Sequence, residues 1–375
     1  MRPIEMVDLK SQHNRLQPHL NNTILDVVAS SVYIKGAEVS MFEEELAAKL
    51  DVKHVIACAN GTDALQLALM ALELKPGDEV ITSNFTYVAT AEIIALLQLK
   101  PVLVDVDPET FEIDLNEVVK AIGPKTKAIV PVHLFGQCCN MEGLMQIAKE
   151  HKLYVVEDTA QAINADFYFT NGSSMKAGTI GDIGTTSFFP SKNLGCMGDG
   201  GAIFTNNDEL ALKLRMIANH GQSKQYYHDL VGVNSRLDSI QAAILRIKLP
   251  HLDEYCQKRQ EAAAIYDDLL KDEPGIVCPV RSTKSSHVFH QYVVKVVGAS
   301  RDALKAFLNS KSIPCNIYYP VPLNKQKAYL DESRTFKHTD KLCEIVLALP
   351  MHTELDLEQQ KYIVTEIKKF LKDEN

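Results

Sequence analysis

Lys192 closes the run Thr186-Ser187-Phe188-Phe189-Pro190-Ser191-Lys192 and stands just ahead of the glycine-rich turn Gly195-Cys196-Met197-Gly198-Asp199-Gly200-Gly201. A lysine among aromatic rings, with a hydroxyl upstream, can be desolvated and kept partly neutral, as an amine that condenses with a carbonyl must be. A lone lysine is more often a solvated surface charge, so carbonyl chemistry depends on what the rest of the chain brings to it. Asp158 closes the apolar run Tyr154 to Glu157, and Gln161 lies one helical turn beyond it. A carboxylate at that depth needs a cation or several donors, because an unpaired buried charge costs several kcal/mol. A protonated pyridine nitrogen would serve, and so would local backbone amides.

Gly61-Thr62 falls between a strand pattern and a helix pattern, where its amides and the Thr62 hydroxyl would face an anion at a helix N-terminus. The plainer reading is that Thr62 or Asp63 caps that helix. The stretch is neither G-x-G-x-x-G nor a P-loop lysine motif, which disfavours a nucleotide cofactor held by those devices.

The elements that must carry these residues are legible in the apolar pattern. Short runs at Val55–Cys58, Glu79–Thr82, Pro101–Val106, Ala128–Val132 and Leu153–Glu157 read as strands; Ala64–Leu74, Ala89–Leu97, Leu115–Ile122 and Met141–His151 read as helices. Such alternation predicts an α/β fold with a mostly parallel sheet covered on both faces, and ligands on such a sheet bind beyond the strands' carboxyl ends. The polar residues of this half collect there: Asn60 to Asp63, Ser83 to Tyr87, His133 to Gln137 and Asp158 to Gln161. Leu237 to Lys271 is helical with a break at Pro250, and the pattern changes near Pro274. A strand over His290–Val297, a helix over Arg301–Lys311, a proline loop after Tyr319 and an amphipathic tail over Leu355–Leu371 predict a smaller α+β domain at 252–375, after a large domain at 1–251 that includes an N-terminal arm.

Bulk properties narrow the classes. The chain has 375 residues, 46% hydrophobic and 23% charged, with a net charge of -9 and no basic patch, so no nucleic-acid partner is expected. No run reaches the roughly 20 apolar residues of a membrane span. Eight scattered cysteines without a C-x-x-C pair, behind a start with no signal-peptide pattern, predict a soluble protein of a reducing cytoplasm. Cys138-Cys139 beside His133 hints at a metal, but adjacent cysteines do not easily share one ion; buried thiols and no metal are the expectation.

Taken in order, the parts make a constellation: a helix-start hydroxyl loop, an aromatic at Tyr87, a strand-end Asp158, then Ser187 and Lys192. These are the parts needed to hold pyridoxal 5'-phosphate, with the phosphate on Gly61, Thr62 and Ser187, Tyr87 stacked on the ring, Asp158 on the pyridinium nitrogen and Lys192 as the imine-forming amine.

Over essentially its whole length the chain resembles the DegT/DnrJ/EryC1/StrS family of sugar aminotransferases. The resemblance is carried by Met6 to Lys10, Asn60 to Leu65, Phe85 to Thr90, Pro131 to Gln137, Glu157 to Gln161, Ser187 to Lys192, Gly198 to Gly201, Asn219 to Gly221 and Asn234 to Asp238. It implies the fold type I, aspartate aminotransferase-like architecture with a seven-stranded, mostly parallel sheet. It also implies a homodimer sharing two cofactor sites, with Asn234 of the neighbouring chain reaching the phosphate and Gln161 bonding the ring hydroxyl. Arg236 would meet a substrate carboxylate or phosphate, and Tyr318, Tyr319 and His133 would contact substrate. Tyr318 stands where relatives often carry histidine. Some relatives are dehydratases with histidine in place of the catalytic lysine; Lys192 favours transamination, with glutamate as donor. Cys58 to Asp63, Phe189 to Lys192 and Leu323 to Gln326 look most like the branch acting on UDP-2-acetamido-3-keto-glucuronic acid in O-antigen synthesis, followed by the dTDP-3-keto-6-deoxyhexose 3-aminotransferases. The other classes weighed are a non-catalytic regulatory member of the fold and an oxidoreductase on a keto-sugar; intact Lys192, Asp158 and Ser187 argue against the first, and the missing dinucleotide fingerprint against the second.

Overall fold

Strand and helix alternate much as the apolar runs predict in the computed structural model, which describes residues 2–374. The first strands are β1 (His54–Cys58), β2 (Glu79–Ser83), β3 (Lys100–Val104), β4 (Thr126–Val130) and β5 (Tyr154–Asp158). A small hairpin, β6 (Asp166–Tyr168) and β7 (Ser174–Lys176), precedes β8 (Ile183–Ser187) and β9 (Gly201–Thr205). Seven of these form one sheet in the order β1-β9-β8-β5-β4-β2-β3. Neighbours from β3 through β8 pair in parallel, and β9 runs antiparallel to both β8 and β1. No helix separates β8 from β9; the Gly195–Gly201 turn returns the chain directly alongside, which only an antiparallel pair permits. A side chain on Gly201 would meet the Asn60 carbonyl carbon at 2.4 Å, so the return strand can start there only as glycine.

Successive residues of the inner strands point to opposite faces, and each face has its own core. Val80, Val130, Val156 and Ile203 pack with Leu65 and Leu69 of the helix Gly61–Ala71 and with Ile94. Ile81, Ile129, Val155 and Phe204 pack on the other side with Phe42, Leu46 and Leu245. That two-sided burial explains why these strands read as continuous apolar runs.

Past a short hairpin, β10 (Gln222–Lys224) and β11 (Tyr227–His228), the long helical stretch divides where expected. The helix Ser239–Lys248 gives way to a tight turn at Leu249–His251 holding Pro250, and a second helix spans Leu252–Leu270. Strands β12 (Ile276–Val277), β13 (Tyr292–Val296) and β14 (Val346–Leu349) form an antiparallel sheet. It shares a core, including Tyr266, Tyr292, Leu304, Leu347 and Ile363, with the helices Leu252–Leu270, Arg301–Ser310 and Leu357–Glu374. The expected strand at His290–Val297 starts two residues later, leaving His290 and Gln291 free of the ladder. Phe85, Val132 and Phe135 pack against Val293, Val346 and Ala348. That contact seats the C-terminal sheet over the strand ends where the polar residues gather. No helix among the described residues is long and apolar enough to cross a membrane.

Candidate active site

The strand ends enclose a cavity of about 700 Å³ whose walls include Gly61, Thr62, Tyr87, Asp158, Gln161, Ser187 and Lys192. Sheet register brings the middle of this set together. β5 and β8 are parallel neighbours with Asp158 beside Thr185, so Ser187 emerges two residues farther along the same edge. The helix Gly61–Ala71 then points its N-terminus at Ser187. A Cβ on Gly61 would lie 2.6 Å from Ser187 Cβ, so only glycine allows this approach.

Asn60, not Thr62 or Asp63, caps that helix: its Oδ1 accepts from the Asp63 amide at 2.8 Å. The Thr62 hydroxyl is therefore not spent on the cap, and the Gly61 and Thr62 amides lie in the first turn, outside the helix's own ladder. Ser187 Oγ accepts from the Phe189 amide at 3.2 Å, which leaves its proton to donate elsewhere. Two hydroxyls, first-turn amides and the positive end of a helix thus border one end of the cavity, a donor set suited to a phosphate.

Asp158 forms the opposite pole. Oδ1 accepts from the Ala160 amide at 3.1 Å and Oδ2 from Thr90 Oγ1 at 3.0 Å. Burial pushes its carboxyl up, and the two hydrogen bonds, with Lys192 and His133 nearby, pull back. The alternative of an aspartate satisfied by backbone alone does not hold, since one amide and one hydroxyl leave acceptor capacity at each oxygen. Lys192 lies in the turn that the Lys192 amide closes onto the Phe189 carbonyl at 2.8 Å. Burial lowers its ammonium to about 8, with Asp158 pulling in the other direction. Behind it Lys248 Nζ donates to the Gly195 carbonyl at 2.7 Å and fixes the following turn.

Gln161 Oε1 accepts from the Phe135 amide at 2.9 Å while Nε2 donates to Tyr319 Oη at 3.1 Å. Tyr318 and Tyr319 line the same cavity. Tyr87 is well exposed at the mouth, its ring 6.2 Å from that of Tyr319.

Sequence reasoning passed over three residues. Thr90 holds Asp158, as above. Thr86 and His290 line the cavity, are buried, and have Oγ1 and Nδ1 without a partner. Burial, with Lys192 and Arg259 nearby, holds His290 well below the usual imidazole range, so the ring is neutral. Thr86 and Thr90 flank Tyr87 in a stretch already notable in the sequence; His290 carried no local signal, because it arrives from the C-terminal half.

One expectation is corrected. His133 does not line the cavity: it is fully buried, Nε2 bonds Glu157 Oε2 at 2.9 Å and Nδ1 accepts from the Cys139 amide at 3.2 Å, so it cannot touch a substrate. Its backbone amide, which donates to the Asp158 carbonyl at 3.0 Å, is what reaches toward the site. Asn234 and Arg236 are also absent from the walls. Asn234 is exposed and bridges Asn219 through the backbone, and Arg236 is half-buried near Lys35, whose ammonium is lowered first by burial and then by that guanidinium.

The donor set at one end, a buried carboxylate with spare acceptor capacity at the other, a lysine between and two orphaned polar atoms fit pyridoxal phosphate: an anion, a protonated ring nitrogen and an aldehyde in one ligand. A larger hollow of about 1040 Å³, between the helices His19–Ser30 and Ser239–Lys248, lacks such a grouping.

Comparison with known proteins bears on this reading. Residues 14–368 match the model of the DegT/DnrJ/EryC1/StrS aminotransferase family. The chain is 46% identical over 360 residues to a UDP-2-acetamido-2-deoxy-3-oxo-D-glucuronate aminotransferase of Pseudomonas aeruginosa, covering 96% of this chain and 98% of that protein. It is 45% identical to a pleiotropic regulatory protein of Geobacillus stearothermophilus over 98% of each. The structure of NtdA from Bacillus subtilis with bound cofactor PMP superposes with a TM-score of 0.88 at 33% identity, covering 96% of this chain and 82% of that one.

Proposed function

From the premise that this chain belongs to the DegT/DnrJ/EryC1/StrS aminotransferase family, and so is a pyridoxal phosphate-dependent aminotransferase, we propose that it aminates the 3-keto group of UDP-2-acetamido-2-deoxy-3-keto-glucuronate, with glutamate as donor. The observation that carries the site assignment is the grouping of Lys192, Asp158, Ser187 and Gly61-Thr62 around one cavity. The observation that carries the sugar is the 46% identity to the Pseudomonas aeruginosa enzyme over nearly the whole chain.

In this reading Thr62, Ser187 and the first-turn amides hold the cofactor phosphate, Tyr87 covers the ring face, and Gln161 bonds the ring hydroxyl. When bound, the cofactor supplies an electron sink for the pair left behind as a proton leaves the carbon that bears nitrogen. Asp158 keeps the ring nitrogen protonated, and Thr90 and Ala160 hold that carboxylate in place. Lys192 would hold the cofactor's aldehyde carbon and, as a free amine, would carry the proton to and from the substrate carbon. An ammonium at about 8 leaves roughly a tenth of the amine neutral at pH 7, against less than about a thousandth for an ordinary lysine. Tyr318 and Tyr319 wall the sugar side. Loading by glutamate followed by amination of the keto-sugar gives ping-pong kinetics.

Asn234 and Arg236 complete the site from a second copy of the chain, Asn234 at the phosphate and Arg236 at the sugar carboxylate. Exposed Val32, Tyr33 and Ile34 support this, because Ile34 bridges Asp238 in the same loop and so joins the apolar patch to both residues. The role belongs to surface polysaccharide synthesis in the cytoplasm. The test is amination of UDP-3-keto-uronate against a dTDP-3-keto-6-deoxyhexose. At least tenfold preference for the uronate is expected, and it should vanish in Arg236→Met; equal turnover, or preference for the deoxyhexose, would overturn the substrate assignment.

A further inference from the structure

Glu112 is a buried carboxylate, 6% exposed, with no hydrogen-bond partner at either oxygen. An isolated carboxylate in such a place is costly unless a cation or donors meet it. The groups it faces are His133 and Cys139, both wholly buried, and one ligating atom from each of the three lies within 4.8 Å of the other two. Sequence spacing hid this set, because Glu112 follows β3 while the other two follow β4. Adjacent Cys138 does not belong to it.

The state of His133 matters most. Glu157, on its far side, accepts from His133 Nε2 and from the amides of Gly178, Ile180 and Gly181 at 3.0, 2.7 and 2.6 Å. A carboxylate surrounded by donors accepts, so the imidazole proton is on Nε2 and the lone pair is on Nδ1, on the Cys139 side. That carboxylate–histidine relay orients metal-bound imidazoles in general. Among the described residues the hydrogen bond to Nδ1 comes from the Cys139 amide at 3.2 Å, and a metal ion would take its place.

We propose that Glu112, His133 and Cys139 form a zinc site directly behind the cofactor cavity. Thiolate, imidazole and carboxylate are the three ligand types zinc accepts together. Met141 Sδ is 3.5 Å from Cys139 Sγ, but the carboxylate favours zinc over cuprous ion, which prefers sulfur throughout. Binding releases two protons, one from the Cys139 thiol and one that burial keeps on the Glu112 carboxyl; the resulting two anions neutralise the dication, so the filled site carries no net charge in the core. The metal ties the turn after β3 to the loop His133–Cys139, whose His133 and Phe135 amides meet Asp158 and Gln161.

The test is the zinc content of the holoenzyme, produced with zinc in the medium and dialysed. About one zinc per chain is expected in the unaltered protein, falling roughly tenfold in Glu112→Gln and in Cys139→Ala that keep the cofactor's visible band. Zinc no higher in the unaltered protein than in Cys139→Ala would overturn the site. Where the variants do not fold, holoenzyme produced with cobalt replaces them: a thiolate-to-cobalt absorption in the near ultraviolet is expected, and its absence contradicts the proposal.

Discussion

Thr90 donates its hydroxyl to Asp158 Oδ2 at 3.0 Å, from the first turns of the helix that follows β2 to the end of β5. A hydrogen bond to an ionised carboxylate is worth about 1.5–3 kcal/mol. Thr90→Val removes it with little change of shape. The half-reaction with the proposed donor, glutamate, should slow about tenfold with KM nearly unchanged, and Asp158→Asn should slow it by about 10²–10³. Rapid-mixing measurement of the cofactor's absorbance reads both. A Thr90→Val enzyme at full rate would remove the hydroxyl from the account.

Gly61 has no space for a methyl group. With Ser187 Cβ only 2.6 Å from the position of a new Cβ, Gly61→Ala must separate the helix start from β8. A loss of about 1–3 kcal/mol in stability is expected, and cofactor dissociation should accelerate at least tenfold, because the groups proposed to hold the phosphate move apart. Thermal melting and cofactor release under dialysis check these separately.

Lys192 gives a pH dependence whose sign can be worked out. Its ammonium is lowered from 10.5 to about 8 in the folded chain without cofactor, so the unfolded chain binds more protons between those values. The group therefore costs stability as pH falls through that window, in full below about 8. For chemistry the neutral amine is the reactive form. Covalent uptake of pyridoxal phosphate by the apo-protein should rise about tenfold per pH unit below 8 and level off above it. A rate still climbing toward pH 10 would mean an ordinary lysine.

Glu157 supports the sheet rather than the chemistry. Four donors converge on it in the core, at 0% exposure. Glu157→Gln replaces an acceptor oxygen with an amide that faces those donors. A destabilisation of about 3–5 kcal/mol is expected by denaturant titration.

The proposal that a second copy supplies Asn234 predicts complementation. Lys192→Ala and Asn234→Ala should each be inactive, and a refolded mixture should recover about a quarter of native activity, because half the dimers hold one intact site. No recovery would place Asn234 in the site of its own chain.

The sequence carried much of this fold, and the reason is the two-sided sheet. Val80-Ile81, Ile129-Val130 and Val155-Val156 each supply both faces, so the strands stand out as apolar runs. Residues at or just past the strand ends, Gly61-Thr62, Asp158 and Ser187, could be placed because topology fixes where strand ends open. His133 follows the same rule of position and yet is buried, because its side chain lies on the inner side of the strand end, toward Glu157; a local pattern does not tell which side a polar residue takes there. His290 and Tyr319 reach the cavity only through packing of Val293 and Ala348 against Phe85 and Phe135, a long-range contact with no local signature. The antiparallel β9 was concealed because a buried antiparallel strand reads as apolar as its parallel neighbours.

Which lysine holds the cofactor is the point on which most depends, and the fold provides an internal control. Lys248 is also buried, and its ammonium is likewise lowered to about 8, but it faces the Gly195 carbonyl and does not line the cavity. Borohydride reduction of the holoenzyme followed by peptide mass mapping distinguishes the two. The expected result is one pyridoxyl group per chain on Lys192, and none in Lys192→Ala. A label on Lys248, or on any lysine outside the cavity, would contradict the assignment.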